Sequence, residues 1–210
     1  MWVIGITGGI ASGKSKVAHE LQRRGARVVD ADGIGHSVLE RADIQATLHA
    51  RWGDEVFAEG KEGAGHLDRA AIAQRVFAPP PEGPRELSYL EAVIHPEIGA
   101  RVVALLDRWR AEGTVPAAVL DAPVLHKAGW TDYCDRILHV DAPLEVRAGR
   151  AARRGWSVDQ LLARERMQPS MAWQRQAADW VIDNGGSWAL TVAQIDEFWK
   201  TLFAEGKKRH

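Results

Sequence analysis

Apolar residues in this chain fall into two kinds of pattern. Trp2-Val3-Ile4-Gly5-Ile6-Thr7, Arg27-Val28-Val29-Asp30, Ala117-Ala118-Val119-Leu120-Asp121, Arg136-Ile137-Leu138-His139-Val140-Asp141 and Trp180-Val181-Ile182-Asp183 are short and nearly unbroken. Such runs suit strands buried on both faces of a parallel sheet. Between them, hydrophobic positions recur at helical spacing. Val17, Ala18 and Leu21 share one face of a stretch over 14–24, which Gly25 ends. Asp68 is placed to cap a helix over 69–77. Ile98, Val102, Leu105, Leu106 and Trp109 line a longer helix that Pro96 is expected to start. A last amphipathic stretch covers 189–203, ahead of a basic tail over 206–210. Strand and helix alternate, which predicts an α/β fold: three layers, α/β/α, around a parallel five-stranded sheet. Residues 33–112 break the alternation and read as a helical insertion, with loops at Gly53, 60–65 and 79–84.

Composition narrows the class. The chain has 210 residues, which suits a single domain over 1–210 with an inserted lobe. Its 27 Lys and Arg balance 28 Asp and Glu, a net charge of −1 that argues against a nucleic-acid partner. The lone Cys134 excludes an internal disulfide and fits a reducing compartment. No apolar run nears the roughly 18 residues of a membrane span. Met1–Ile10 is apolar but has no preceding positive flank, so it reads as a buried strand rather than a signal peptide. A cytoplasmic, unprocessed protein with no membrane partner is expected. With no obvious exposed apolar stripe, it is expected to be a monomer. Among the nine tryptophans, Trp52, Trp109, Trp173 and Trp199 are read as core and packing residues, and the eight histidines show no metal-ligand spacing.

The chemistry is concentrated in Gly8-Gly9-Ile10-Ala11-Ser12-Gly13-Lys14-Ser15, a match to G-x-x-x-x-G-K-[ST] set between a buried strand and a helix. Glycines let successive N–H groups curl around phosphate oxygens, and the helix N-terminus adds a favourable dipole. Lys14 is expected to reach the terminal phosphates and the Ser15 hydroxyl to ligate Mg²⁺. No N-K-x-D occurs, which removes the base-reading signature of a GTPase. Asp30-Ala31-Asp32 follows the second strand. Asp30 is as well explained by capping the turn, whereas Asp32, before a Gly33 read as flexible, is the better candidate to accept a proton from an attacking hydroxyl. Asp121 closes an apolar strand; it either holds a Mg²⁺-bound water or caps the next turn. Arg147, Arg150, Arg153, Arg154, Arg164 and Arg166 cluster over 143–169. Most are read as a solvated helical face, but two or three arginines are the usual means of neutralising a transferring phosphoryl group. Gly155 and the N-cap Ser157 fold this segment into a helical hairpin with the character of a lid.

The order of Thr7–Ser15, Asp30-Ala31-Asp32, Leu67-Asp68-Arg69, Leu90-Glu91 through His95-Pro96, Asp121-Ala122-Pro123, Gln168 and Ala178-Asp179-Trp180-Val181-Ile182-Asp183-Asn184 resembles the dephospho-CoA kinase family over about residues 3–200. The resemblance implies ATP-dependent phosphorylation of the ribose 3′-hydroxyl of dephospho-CoA, the last step of coenzyme A synthesis, with Mg²⁺ accompanying ATP. It also implies that 33–112 is the CoA-binding lobe and 143–169 the lid. By position, Asp32 matches the family's general base, and Lys14 and Ser15 its phosphate and Mg²⁺ groups. Arg150 and Arg154 match lid arginines. His95 and Arg101 fall where the acceptor is touched, as Asp32 and Asp121 do. His95 is equally well read as a residue packed ahead of Pro96. Asn184 and the glycines after it approach the adenine, mostly through backbone.

One stretch departs from the family. Where it carries two leucines, a Phe and a Glu after D-x-P, this chain has Val124-Leu125-His126-Lys127. His126 invites a catalytic reading but is better read as a surface histidine standing where the family has an apolar residue. Lys127 puts a positive charge where an acid is expected, which leaves two alternatives open: another small-molecule or nucleoside monophosphate kinase on this scaffold, or a nucleotide-binding protein that has lost turnover.

Overall fold

The computed structural model describes residues 1–57, 67–122, 125–166 and 168–204. The loop expected over 60–65, the Pro123-Val124 pair and the tail 206–210 lie outside the described residues. The elements run β1 (Trp2–Thr7), α1 (Lys14–Arg23), β2 (Arg27–Val29), α2 (Ala31–Leu39), α3 (Ala42–Trp52), α4 (Arg69–Val76), α5 (Glu82–Glu112), β3 (Ala117–Asp121), β4 (Arg136–Asp141), α6 (Leu144–Ala152), α7 (Val158–Glu165), α8 (Met171–Gln176), β5 (Trp180–Asp183) and α9 (Trp188–Ala204). Two compact units form: Met1–Asp30 with the chain from Leu105 onward, and Ala31–Ala104.

The first unit holds a five-stranded sheet in the order β2-β3-β1-β4-β5, with every pairing parallel. The expected strands all form; the apolar runs of the three inner strands β1, β3 and β4 are buried as continuous stretches, while the edge strands β2 and β5 are only partly buried. Trp2, Ile4 and Ile6 of β1 pack with Val17 and Leu21 of α1 and with Ile195, Phe198 and Leu202 of α9. On the opposite face, Gly5 leaves room for Leu125, Cys134 and Ile137; a Cβ there would stand 2.7 to 2.9 Å from all three. Burial pushes the Cys134 thiol up to about 12, so it stays protonated as a small core residue. Register sets Asp121 beside Ile6 and His139 beside Thr7, so the carboxyl ends of β3, β1 and β4 open onto one crevice. In open α/β sheets ligands bind at such a crevice.

The second unit packs α2, α3, α4 and the first three-quarters of α5 around Val38, Ile44, Leu48, Trp52, Ile72, Leu90 and Val102. Asp68 caps α4 as expected, its carboxylate accepting from Ala70 N at 2.8 Å and Ala71 N at 3.3 Å. Two expectations are corrected here. The long helix starts at Glu82, inside the loop expected over 79–84, and Pro96 lies within the helix. Leu90 before the proline and Ile98 and Val102 after it are all buried and lie within about 120° of one another around the helix, so the face that docks is continuous across the proline. That packing offsets the hydrogen bond which proline removes. Gly33 is not a flexible joint but lies within α2, one residue after Asp32.

Glu86 is the buried polar centre of this unit. It accepts from Arg51 at 3.0 and 3.1 Å, from Trp52 Nε1 at 2.7 Å and from Arg85 at 3.0 Å. The Arg51 guanidinium and the Trp52 indole N–H hold its carboxyl down at about 2, against the desolvation that would raise it. A carboxyl depressed in the folded state contributes stability above its unfolded pKa, lost as pH falls toward the folded value. Glu86→Gln is therefore expected to melt below the parent at pH 7. The gap should narrow between about pH 4.5 and about pH 2. Thermal melts across that range check it; a gap independent of pH would assign the loss to packing alone.

Among the described residues no helix is long and apolar enough to cross a membrane.

Candidate active site

β1 runs straight into the phosphate-type loop, and two glycines make the turn feasible. Gly8 has φ +142°, and a Cβ there would sit 2.3 Å from Val140 O. Gly13 has φ +103°, and a Cβ there would sit 2.2 Å from Asn184 Nδ2. No L side chain fits either place. Gly13 is the N-cap of α1 and offers no side chain to its first turn, so the helix starts with N–H groups directed at the loop's concave side.

Lys14 folds back over this loop, donating to Gly8 O at 2.8 Å and Gly9 O at 3.0 Å. Burial lowers its pKa, while the carboxylates of Asp121 and Glu165 oppose that fall. A partly desolvated ammonium held only by two neutral carbonyls forms stronger hydrogen bonds with anionic oxygens where these are offered. Ser15 is exposed at the start of α1, and Asp121 sits half-buried at the end of β3.

Arg150 and Asn184 brace the loop from behind. Arg150 donates to Ala11 O at 3.3 Å, Ser12 O at 2.8 Å and Asn184 O at 2.7 Å. The Asn184 amide donates to Ser12 O at 2.7 Å and accepts from Thr191 Oγ1 at 3.1 Å. A cleft of about 510 Å³ opens beside them, lined by Gly13, Lys16, Arg150, Arg154, Asn184 and Trp188. Lys16 Nζ lies 3.7 Å from the centre of the Trp188 ring.

The structure thus gathers Gly8–Ser15, Asp121, Arg150, Arg154 and Asn184 in the first unit. Asp32 is an exposed residue in the first turn of α2, in the second unit. His95 and Arg101 lie on α5 in that same unit, where Arg101 donates to Ser37 Oγ at 2.9 Å. Arg153, Arg154, Arg164 and Arg166 are exposed, as a solvated face requires, but Arg147 is buried.

His126 is half-buried rather than a surface residue. It lines a narrow slot with Thr7, Gly8, Lys14, Gln168 and Gln174. Its Nε2 is buried with no hydrogen-bond partner among the described residues, and burial lowers its pKa. Trp173, expected in the core, is 48% exposed and sets its ring edgewise to His126 at 4.7 Å. Sequence reasoning also missed Gln174, whose Oε1 accepts from Gly8 N at 3.1 Å. A glutamine on a short polar helix carries no signal of such a role.

A phosphate loop leaving the central strand of a five-stranded parallel sheet, backed by arginine-bearing helices, defines a P-loop kinase fold. Shikimate kinase from Acinetobacter baumannii shares it, with a TM-score of 0.53 at 13% identity, covering 99% of this chain and 96% of the other. The dephospho-CoA kinase family model matches residues 2–189, and the chain belongs to that family. The dephospho-CoA kinase of Thermobifida fusca is 37% identical over 204 residues, 96% of each chain. The crystal structure of TT1252 from Thermus thermophilus superposes with a TM-score of 0.76 at 35% identity, over 99% of this chain and 98% of the other.

Proposed function

We propose that the protein transfers the γ-phosphoryl group of ATP to the ribose 3′-hydroxyl of dephospho-CoA, giving coenzyme A and ADP. It is a phosphotransferase with an alcohol acceptor. The observation that carries the reading is an intact phosphate loop, Lys14 and Ser15 included, in a chain matched by the family model over 2–189. The two alternatives left open by Lys127 are not favoured by that match.

In this reading the loop N–H groups and Lys14 hold the nucleotide phosphates, with Arg150 and Asn184 keeping the loop in shape. Arg154, on the segment 143–169 taken as the lid, offers an exposed guanidinium to the transferring group. The segment 33–112 is taken as the acceptor lobe, with His95 and Arg101 as its contacts and Asp32 as the residue that receives the hydroxyl proton. Ser15 and Asp121 are hard oxygen donors of the kind Mg²⁺ prefers, Ser15 directly and Asp121 through water. Mg²⁺ bound there would neutralise charge on the β- and γ-phosphates. A cytoplasmic monomer with no nucleic-acid or membrane partner belongs to the same reading, supported by the net charge of −1.

The test is ADP release with MgATP in the presence of dephospho-CoA, AMP, shikimate or pantothenate. ADP formed only with dephospho-CoA is expected. ADP formed with another acceptor in its place would reassign the substrate. Nucleotide binding with no ADP on any acceptor would overturn the kinase reading.

A further inference from the structure

Glu165 ends α7, and its carboxylate lies against the phosphate loop at Gly9 and Ile10. Its Oε1 accepts from the Ile10 backbone N–H at 3.2 Å and pairs with the Arg147 guanidinium. The same oxygen would stand 2.8 Å from a Cβ on Gly9, so the carboxylate approaches the loop backbone closely at this glycine. Arg147 is buried and anchored, donating through Nε to Ala142 O at 3.0 Å and through Nη1 to Ile10 O at 3.4 Å. Lys14 is near enough to feel the carboxylate's field.

A loop N–H, a guanidinium and a nearby ammonium are the donor set that a phosphoryl oxygen takes in a P-loop. A buried guanidinium is costly without an anion beside it, so this position calls for a negative charge at all times. Glu165 supplies one from within the chain.

We propose that Glu165 is an intramolecular surrogate for a nucleotide phosphate, which sets nucleotide affinity by competing for the loop and is exchanged for the phosphate on binding. The exchange hands the Ile10 N–H and Arg147 to the nucleotide and frees the end of α7 from the loop. The inference rests on the reading that this loop binds ATP and extends it to what controls the affinity.

Calorimetric titration of ADP and of a non-hydrolysable ATP analogue into the parent, Glu165→Gln and Glu165→Asp tests it. Glutamine removes the charge; aspartate keeps the charge but is one methylene too short to reach Ile10 N. Competition predicts a Kd about tenfold lower in both variants. A field effect alone would tighten binding in the glutamine variant and leave aspartate at the parent value, which overturns the proposal. Unchanged or weaker binding in both also overturns it, while the ATP reading stands. No binding by parent or variants would overturn the ATP reading and this proposal with it.

Thermal melting gives a second readout. Each variant should melt below the parent without nucleotide and coincide with it at saturation, because the bound state no longer uses Glu165. A gap that persists at saturation assigns Glu165 a purely structural role and overturns the proposal.

Discussion

Lys14→Met is expected to lower kcat/KM for phosphoryl transfer by about 10³-fold, the scale found when one preorganised charge-stabilising donor is removed from an active site. Methionine keeps an unbranched stem of similar length, so the turn between Gly8 and Gly13 keeps its packing. What disappears is the ammonium that donates to Gly8 O at 2.8 Å and Gly9 O at 3.0 Å. Burial already weakens the hydration of that ammonium, which makes phosphate oxygens a better partner than the solvent it has lost. Both nucleotide affinity and turnover should fall, because in the proposed reading the group touches phosphate before and during transfer. Steady-state kinetics beside equilibrium nucleotide binding measures both. Parent-like values in the variant would remove Lys14 from the phosphate site.

Asp32→Asn is expected to act differently, lowering kcat by about 10²- to 10⁴-fold, the usual weight of a positioned general base. The nucleotide Kd should stay at the parent value. Asparagine has the shape and hydrogen-bonding reach of aspartate but takes no proton from the 3′-hydroxyl. Asp32 lies in the first turn of α2 with an exposed side chain, so the substitution removes no core packing. Saturating kinetics and a separate binding titration divide the two effects. A variant that binds ATP poorly yet turns over normally when saturated would place Asp32 with the nucleotide instead.

The two substitutions differ in how legible their positions were. Lys14 belongs to a contiguous motif whose conformation is dictated locally: Gly8 and Gly13 take backbone angles that side-chain-bearing residues rarely adopt. The strand before it and the helix after it follow from an unbroken apolar run and a helical periodicity. Arg147 shows the opposite. In a list of six arginines nothing marks it as the buried one; only its place on the face of α6 turned to the loop makes it so. His126 read as a surface residue because its sequence neighbours are polar or lie in a loop, whereas burial comes from β1, Lys14 and Gln174 closing around it.

The start of α5 illustrates a competition. Pro96 is a good first helical residue, and local preference alone ends the reading there. The buried face of Leu90, Ile98 and Val102 continues through it, so the summed packing of one helix face overrides the preference of a single residue.

By itself the sequence determined the parallel strands, the phosphate loop and the α4 cap, since each depends on residues within a few positions of one another and on backbone sterics that those residues carry. It also determined membership of the kinase family, because the motifs recur in order along the chain. Only the tertiary structure decided that Asn184 and Arg150 hold the back of the loop and that Glu165 lies in its front. Ile10 and Glu165 are 155 positions apart, and Ser12 and Asn184 are 172 apart. At such separations no local preference selects a partner; the sheet order and the docking of α6 and α7 bring the charges together, and their desolvation then makes the pairing obligatory.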